Sequence, residues 1–193
     1  MSIEEEIERI GGLLPIGSAE FNPLKRADIE SMLPSALASS LPSDYVEFVT
    51  RYGSCGTRHE TYLDLPSTFA EYVHPAETEM PNPVHKKIGL AHFYGADQDT
   101  RTLSLRWAIR TYQNRLPEGF VPIADDGAGN QLCWGPSIDR EPSIHWWDHE
   151  NEWDAEDYED DTGYPMPPEA KYQNVYFIAP SFDELFRMLK TLD

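Results

Sequence analysis

Three groups of residues in this chain have the types and spacing that catalysis or metal binding would use. Asp125 and Asp126 stand side by side ahead of Gly127, Ala128, Gly129 and Asn130. His145 and His149 are four residues apart, and Gly53-Ser54-Cys55-Gly56 sets a hydroxyl and a thiol between glycines. Each chemistry demands a particular local structure. A calcium loop of the EF-hand kind needs oxygen ligands at alternating positions and a distant bidentate Glu, and neither follows Asp125. A phosphate cradle needs its glycines to lead into a helix, whereas strand-type residues, Gln131–Trp134, come next. Asp-Gly between two apolar runs instead supplies the positive-φ positions of a hairpin turn.

Histidines at this spacing bind zinc from one face of a helix, but Ile144-His-Trp-Trp-Asp-His149 has the composition of a strand. On a strand His145, Trp147 and His149 would share one face, and His149 is expected to be a hydrogen-bonded sheet residue. No HExxH occurs and no third ligand stands out. A nucleophile elbow follows a strand and precedes a helix; Gly53 follows a helical pattern and reads as its C-terminal cap. The expectation is a protein without catalytic residues, cofactor or metal, and so not an enzyme.

A fourth group is charged rather than reactive. Asp148, Glu150, Glu152, Asp154, Glu156, Asp157, Glu159, Asp160 and Asp161 form an acidic run, with Trp153 inside it and Tyr158 and Tyr164 beside it. Such runs are solvated loops or interaction surfaces, and both readings stand. As a surface, its expected contacts are Glu150, Glu152, Trp153, Asp154, Glu156, Asp157 and Tyr158, with carboxylates steering a basic protein and aromatics anchoring it. The whole chain points the same way. Against 15 Lys and Arg stand 34 Asp and Glu, a net charge of −19. That balance repels nucleic acid and anionic membranes and suits a basic protein partner, although it also serves solubility. No apolar stretch is long enough to span a bilayer and no signal pattern opens the chain, so a cytoplasmic location is expected. Cys55 and Cys133 form no CxxC pair and are expected to be buried thiols.

The elements that must position these groups are legible from periodicity. Ile3, Ile7 and Ile10, with Ser2 as cap, predict a short helix over 2–10 that stops at Gly11-Gly12. Pro15–Pro23 reads as a loop. Ile29, Met32 and Leu33 mark a second helix, Leu37 and Leu41 a further turn, and Tyr45, Phe48, Val49 and Tyr52 the apolar face of a third helix. Strands are predicted at Glu60–Leu65, Ile88–Tyr94, Leu103–Trp107, Val121–Ala124, Gln131–Trp134, Ile144–Asp148 and Val175–Ala179. A short helix is expected at Ser67–Val73, a Pro-rich loop at His74–Lys87 and, between two strands, a helix at Ala108–Arg115. Asp154–Tyr172 reads as an exposed, acidic and then Pro-rich insertion. Ser181 caps a last helix carrying Phe182, Leu185, Phe186, Leu189 and Leu192. Together these define one α+β domain over residues 1–193, a single mainly antiparallel sheet with helices packed against it.

The order of several motifs resembles the SUKH superfamily, which includes the yeast cell-wall regulators of the Smi/Knr type. Leu41-Pro-Ser-Asp-Tyr-Val-Glu-Phe-Val-Thr-Arg-Tyr-Gly53 is similar to the LPxDYxxFLxxxGG helix of that family. Phe120-Val-Pro-Ile-Ala-Asp125, Gly129-Asn130, Trp147-Asp-His-Glu150 and Ile178-Ala-Pro-Ser-Phe182 resemble its later motifs in the same order. The family's Gly-Gly is replaced here by Gly53-Ser-Cys-Gly56. The resemblance implies an α+β fold without an active site. For bacterial members it implies an immunity protein that binds and neutralises a cognate polymorphic or contact-dependent toxin, often a nuclease; the acidic charge of this chain favours a basic nuclease as that toxin. The yeast relatives imply the alternative, a regulatory or scaffolding interaction module.

Overall fold

Residues 2–65, 70–72, 86–96, 103–138 and 141–192 are described in the computed structural model. Helix α1 (Ile3–Arg9) begins at a capping box. The Ser2 hydroxyl accepts from Glu5 N–H and the Glu5 carboxylate accepts from Ser2 N–H. It ends where Gly11 and Gly12 take positive φ. The chain then forms strand β1 (Leu13–Pro15), a strand absent from those the sequence predicts, and the loop expected over Pro15–Pro23 begins at its end. Helices α2 (Arg26–Met32), α3 (Ser35–Ser40) and α4 (Ser43–Tyr52) follow, broken at Pro34 and Pro42 as proline chemistry requires.

Strand β2 (Cys55–Asp64) starts earlier than its apolar alternation indicates. It pairs with β3 (Lys87–Phe93), with a register shift between Gly56 and Thr61. The helix expected at Ser67–Val73 and the loop expected before Lys87 fall largely outside the described residues. Strands β4 (Val121–Asp125), β5 (Gln131–Gly135), β6 (Ser143–Trp147) and β7 (Val175–Ala179) complete the order β1-β2-β3-β4-β5-β6-β7. Strand β8 (Lys190–Thr191) pairs with β2 as well, and among the described residues these strands all pair antiparallel.

The stretch Leu103–Trp107, expected as a strand, is the start of helix α5 (Leu105–Tyr112). The Ser104 side chain accepts from Trp107 N–H, and this cap overrides the β-type composition. The last helix, α7 (Phe182–Met188), is shorter than its periodicity indicates. Leu189 turns extended, and the next two residues pair with the edge of β2. Arg9 closes that end of the molecule. Its guanidinium donates to Phe186 O at 2.8 Å and Leu189 O at 2.9 Å, capping α7, and to the buried Glu6 carboxylate at 2.6 Å.

Residues opposed across an antiparallel pair share a sheet face, so the two faces can be read from register. On one face Phe93 packs on Phe48 of α4 and stacks on Phe186 of α7, centroids 4.8 and 5.4 Å apart. Trp146 and Tyr176 lie together nearby, 5.5 Å apart. On the other face Trp147 meets Tyr112 of α5 at 5.7 Å, and His145 stacks on Phe120 at 5.1 Å. Every residue of β4, β5 and β6 is buried. Helices thus cover both faces of the middle strands, which is why these strands read as continuous apolar runs rather than clean alternation.

Candidate protein-binding surface

The catalytic-looking residues hold turns together. Asp125 and Gln131 oppose each other across β4 and β5, and residues 126–130 join them. Gly127 and Gly129 carry φ of +78° and +109°. Asp125 Oδ1 accepts from Gly127 N–H at 2.8 Å, and Asp126 Oδ1 accepts from Ala128 N–H at 2.9 Å and Asn130 N–H at 3.2 Å. These carboxylates are occupied by the backbone of their own turn. His92 on β3 adds an ion pair to Asp125 at 3.1 Å, and this hydrogen bond raises the imidazole pKa above its ordinary value.

His149 is hydrogen-bonded, as expected, but it is not a sheet residue. Strand β6 ends at Trp147, and His149–Asn151 form one turn of 3-10 helix started by the buried Asp148. Asn130 Oδ1 accepts from His149 N–H at 2.9 Å and faces His149 Nδ1 at 2.8 Å, while Asn130 Nδ2 donates to Asp126 Oδ2 at 2.6 Å. With the amide oriented by Asp126, Nδ1 of His149 carries the hydrogen. The chain Asp126–Asn130–His149 therefore ties the hairpin turn to the start of the acidic run. His145 is fully buried beside the Ser143 hydroxyl, Nε2 to Oγ 3.1 Å. Ser54 is buried with its hydroxyl donating to Leu103 O at 3.0 Å, and burial pushes the Cys55 and Cys133 thiols up. Among the described residues no group of three or more His, Cys, Asp or Glu is placed to hold a metal ion.

The acidic run is built, not loose. Asp154 caps helix α6 (Ala155–Thr162): its Oδ1 accepts from Glu156 N–H at 2.8 Å and Asp157 N–H at 2.9 Å. Glu156 and Asp157 in the first turn suit the positive end of the helix dipole, and Gly163 at φ +75° ends the helix. Tyr158 is buried and meets the half-buried Trp153 edge-on at 5.0 Å. This pair packs the first turns of α6 against the segment that leads into it. The sequence reading missed the helix because Tyr158 is its one large apolar residue, too few to show periodicity. The Asp cap and the terminal Gly were the signals present.

Of the seven expected contacts, the fold separates two kinds. Glu150, Glu156 and Asp157 are exposed. Glu152, Asp154, Trp153 and Tyr158 have structural duties. Glu152 holds Arg115 at the end of α5 through three contacts, Oε2 to Nη2 2.5 Å, Oε2 to Nε 2.9 Å and Oε1 to Nε 3.1 Å. The same guanidinium lies over the rings of Trp147 and Tyr112, 4.9 and 5.3 Å from their centroids. Hydrogen bonding to Glu152 raises the Arg115 pKa further. Asp160 and Asp161, outside the expected set, join Glu150, Asn151, Glu152, Trp153 and Asp157 around an open recess of about 410 Å³. Apart from Glu152, no carboxylate of that recess is in an ion pair with the described residues. A surface of uncompensated negative charge around a partly exposed indole can receive lysine and arginine side chains.

The fold is the α+β arrangement that the motif order implies for the SUKH class. Residues 23–188 match the model of the SMI1 / KNR4 family (SUKH-1), and the chain belongs to that family. It is 35% identical over 121 residues to the SPbeta prophage-derived uncharacterized protein YokK of Bacillus subtilis (strain 168). The matched region covers 59% of this chain and 57% of that relative, so the chain spans a little over half the length of the curated relative it matches. No solved structure matches the chain. The family match runs through residues 154–172, so α6 lies within the matched span. Among the described residues no helix is long and apolar enough to cross a membrane.

Proposed function

We propose that this protein is an immunity protein that binds a cognate bacterial toxin, with a basic nuclease as the toxin, and neutralises it by contact rather than by chemistry. Membership of a family that commonly supplies immunity proteins and non-enzymatic regulatory domains supports the class. The observation that carries the choice of partner is the face formed by α6 and the 149–151 turn. There Glu150, Asp157, Asp160 and Asp161 surround a recess beside Trp153 without a cationic partner among the described residues. A nuclease groove is basic because it binds phosphates, and a carboxylate-rich surface competes for the same cations. Steering by charge accelerates association, whereas the buried aromatic contact sets the lifetime of the complex.

The test is co-expression with candidate toxin domains, followed by binding kinetics on the pair that shows rescue. Association should slow by about tenfold or more between low and high salt, as expected for charge-steered encounter. Replacing Glu150, Glu156, Asp157 and Asp160 together with serine should weaken binding while leaving the Asp154 cap and the Glu152 ion pair intact. An association rate indifferent to ionic strength rules out the steering argument. A chain that rescues no toxin yet binds an endogenous regulator belongs instead with the regulatory modules.

A further inference from the structure

A second concavity is linked to the acidic recess through Asn114, Arg115 and Glu152. Helices α2 and α3, the end of α5 and residues 116–122 enclose a groove of about 630 Å³. Met32, Leu37 and Ile109 line it; they pack against the core yet remain only half-buried, so the groove opens an apolar wall to solvent. Its rim is polar. Lys171 donates to Asn114 O at 2.7 Å and is committed there, while the exposed Glu118 is in no ion pair with the described residues. Asn114 precedes Arg115 in the chain, and Arg115 grips Glu152, which lines the acidic recess. One ion pair therefore separates an apolar groove from a carboxylate-rich recess.

We propose that the two concavities form one bipartite docking surface for a partner segment that presents an apolar side chain flanked by lysine or arginine. This deepens the immunity reading and rests on it for the partner's identity as a toxin. The occupant follows from charge complementarity. An acidic segment would meet Glu118 on one side and Asp157, Asp160 and Asp161 on the other. A wholly basic segment would satisfy the carboxylates but leave Met32, Leu37 and Ile109 in water. An apolar anchor with cationic flanks uses both, in the arrangement of stable interfaces: an apolar centre, a charged margin and water excluded between them.

The experiment titrates the full-length protein, methyl-labelled for NMR, with three short peptides. One has a Trp-Leu centre flanked by lysines, the second has the same centre flanked by glutamates, and the third has a Ser-Ser centre flanked by lysines. The first should shift the methyl signals of Met32, Leu37 and Ile109. The second should leave them unmoved, and the third should perturb only the α6 side. Leu37→Glu should weaken the first peptide by about tenfold or more, the loss of one anchoring contact. Glu118→Lys, an exposed change that disturbs no packing, should weaken it by about threefold. Unmoved groove methyls, equal binding of the glutamate peptide, or indifference to both substitutions overturns the proposal. The toxin rescue assay separates the two readings. Wild type and Leu37→Glu rescuing equally overturns the groove and leaves the immunity role. Wild type failing to rescue removes the immunity role, and the peptide titration still decides the groove.

Discussion

Asn130 offers a sharp test of whether the catalytic-looking constellation is structural. Its side chain is 2% exposed and makes three contacts: to Asp126 Oδ2 at 2.6 Å, to His149 N–H at 2.9 Å and to His149 Nδ1 at 2.8 Å. Asn130→Ala removes all three. A net hydrogen bond contributes about 1 kcal/mol, more where one partner is charged, but Asp126 and His149 are partly exposed and regain water. The expected loss is about 2–3 kcal/mol, which for a domain of this size lowers Tm by roughly 4–12 °C. Asn130→Asp keeps the oxygen that faces His149 but sets a second carboxylate against Asp126. Two carboxylates so close hold one proton between them, so the folded-state pKa rises above the unfolded value near 4. A carboxyl group raised in this way is destabilising above that range and relieved below it. The aspartate variant should therefore approach wild type as pH falls from 7 towards 5, while the alanine variant keeps a nearly constant deficit. Thermal unfolding of the three proteins across that range, each variant compared with wild type at the same pH, measures both effects. An alanine variant within about 2 °C of wild type would show the network to be ornamental. An aspartate variant whose deficit ignores pH would refute the carboxylate contact.

Other consequences follow from the same contacts. His92 has its pKa raised by its hydrogen bond to Asp125, so its stabilising contribution is complete below the unfolded value, about 6.5, and is lost as pH rises through the higher folded value. The Tm advantage of wild type over His92→Gln should therefore be larger at pH 6 than at pH 8.5, and an advantage that grows with pH contradicts the pairing. Gly53 sits at φ +64°, and a Cβ there would overlap the Asn22 carbonyl oxygen. Gly53→Ala should cost about 3 kcal/mol or more or prevent folding, read as lost soluble yield or a collapsed urea midpoint. Arg9→Met leaves the buried Glu6 without its guanidinium and removes a donor from the carbonyls of Phe186 and Leu189 at the end of α7, an expected loss of about 3 kcal/mol. Adding Glu6→Gln to that variant should restore part of it in chemical denaturation, because the orphaned charge is gone.

How legible each part was depends on whether its determinants are local. Helix α1 and the turn at Asp125–Asn130 were readable because Ser2 with Glu5, and Asp126 with two glycines, satisfy their own backbone within a few residues. The buried thiols and the apolar runs of β4, β5 and β7 were readable because burial leaves a compositional mark. Leu103–Trp107 misled because its alternating apolar residues fit a strand, whereas Ser104 caps a helix that buries Leu105, Ala108 and Tyr112 and packs against β4. α6 has no periodic apolar stripe to reveal it: Tyr158 is its one large apolar residue, and its local signals are the Asp154 cap and the terminal Gly163.

By itself, the sequence determined the α+β class, the likeness to the SUKH family, the turn chemistry of Gly127 and Gly129 and the negative charge of the 148–161 run. Those properties are written in residue type, short-range spacing and the order of motifs. Which of the charges are free depends on contacts made across the fold. Glu152 is held by Arg115, 37 positions away in the chain, and Asp154 is spent on a helix end. Glu150, Asp157, Asp160 and Asp161 are left open around Trp153. The sequence also could not show that an apolar groove lies beyond that ion pair, since its walls come from α2, α3 and α5. A charge becomes a binding group when no partner lies near it, and nearness across the fold is not a local property of the chain.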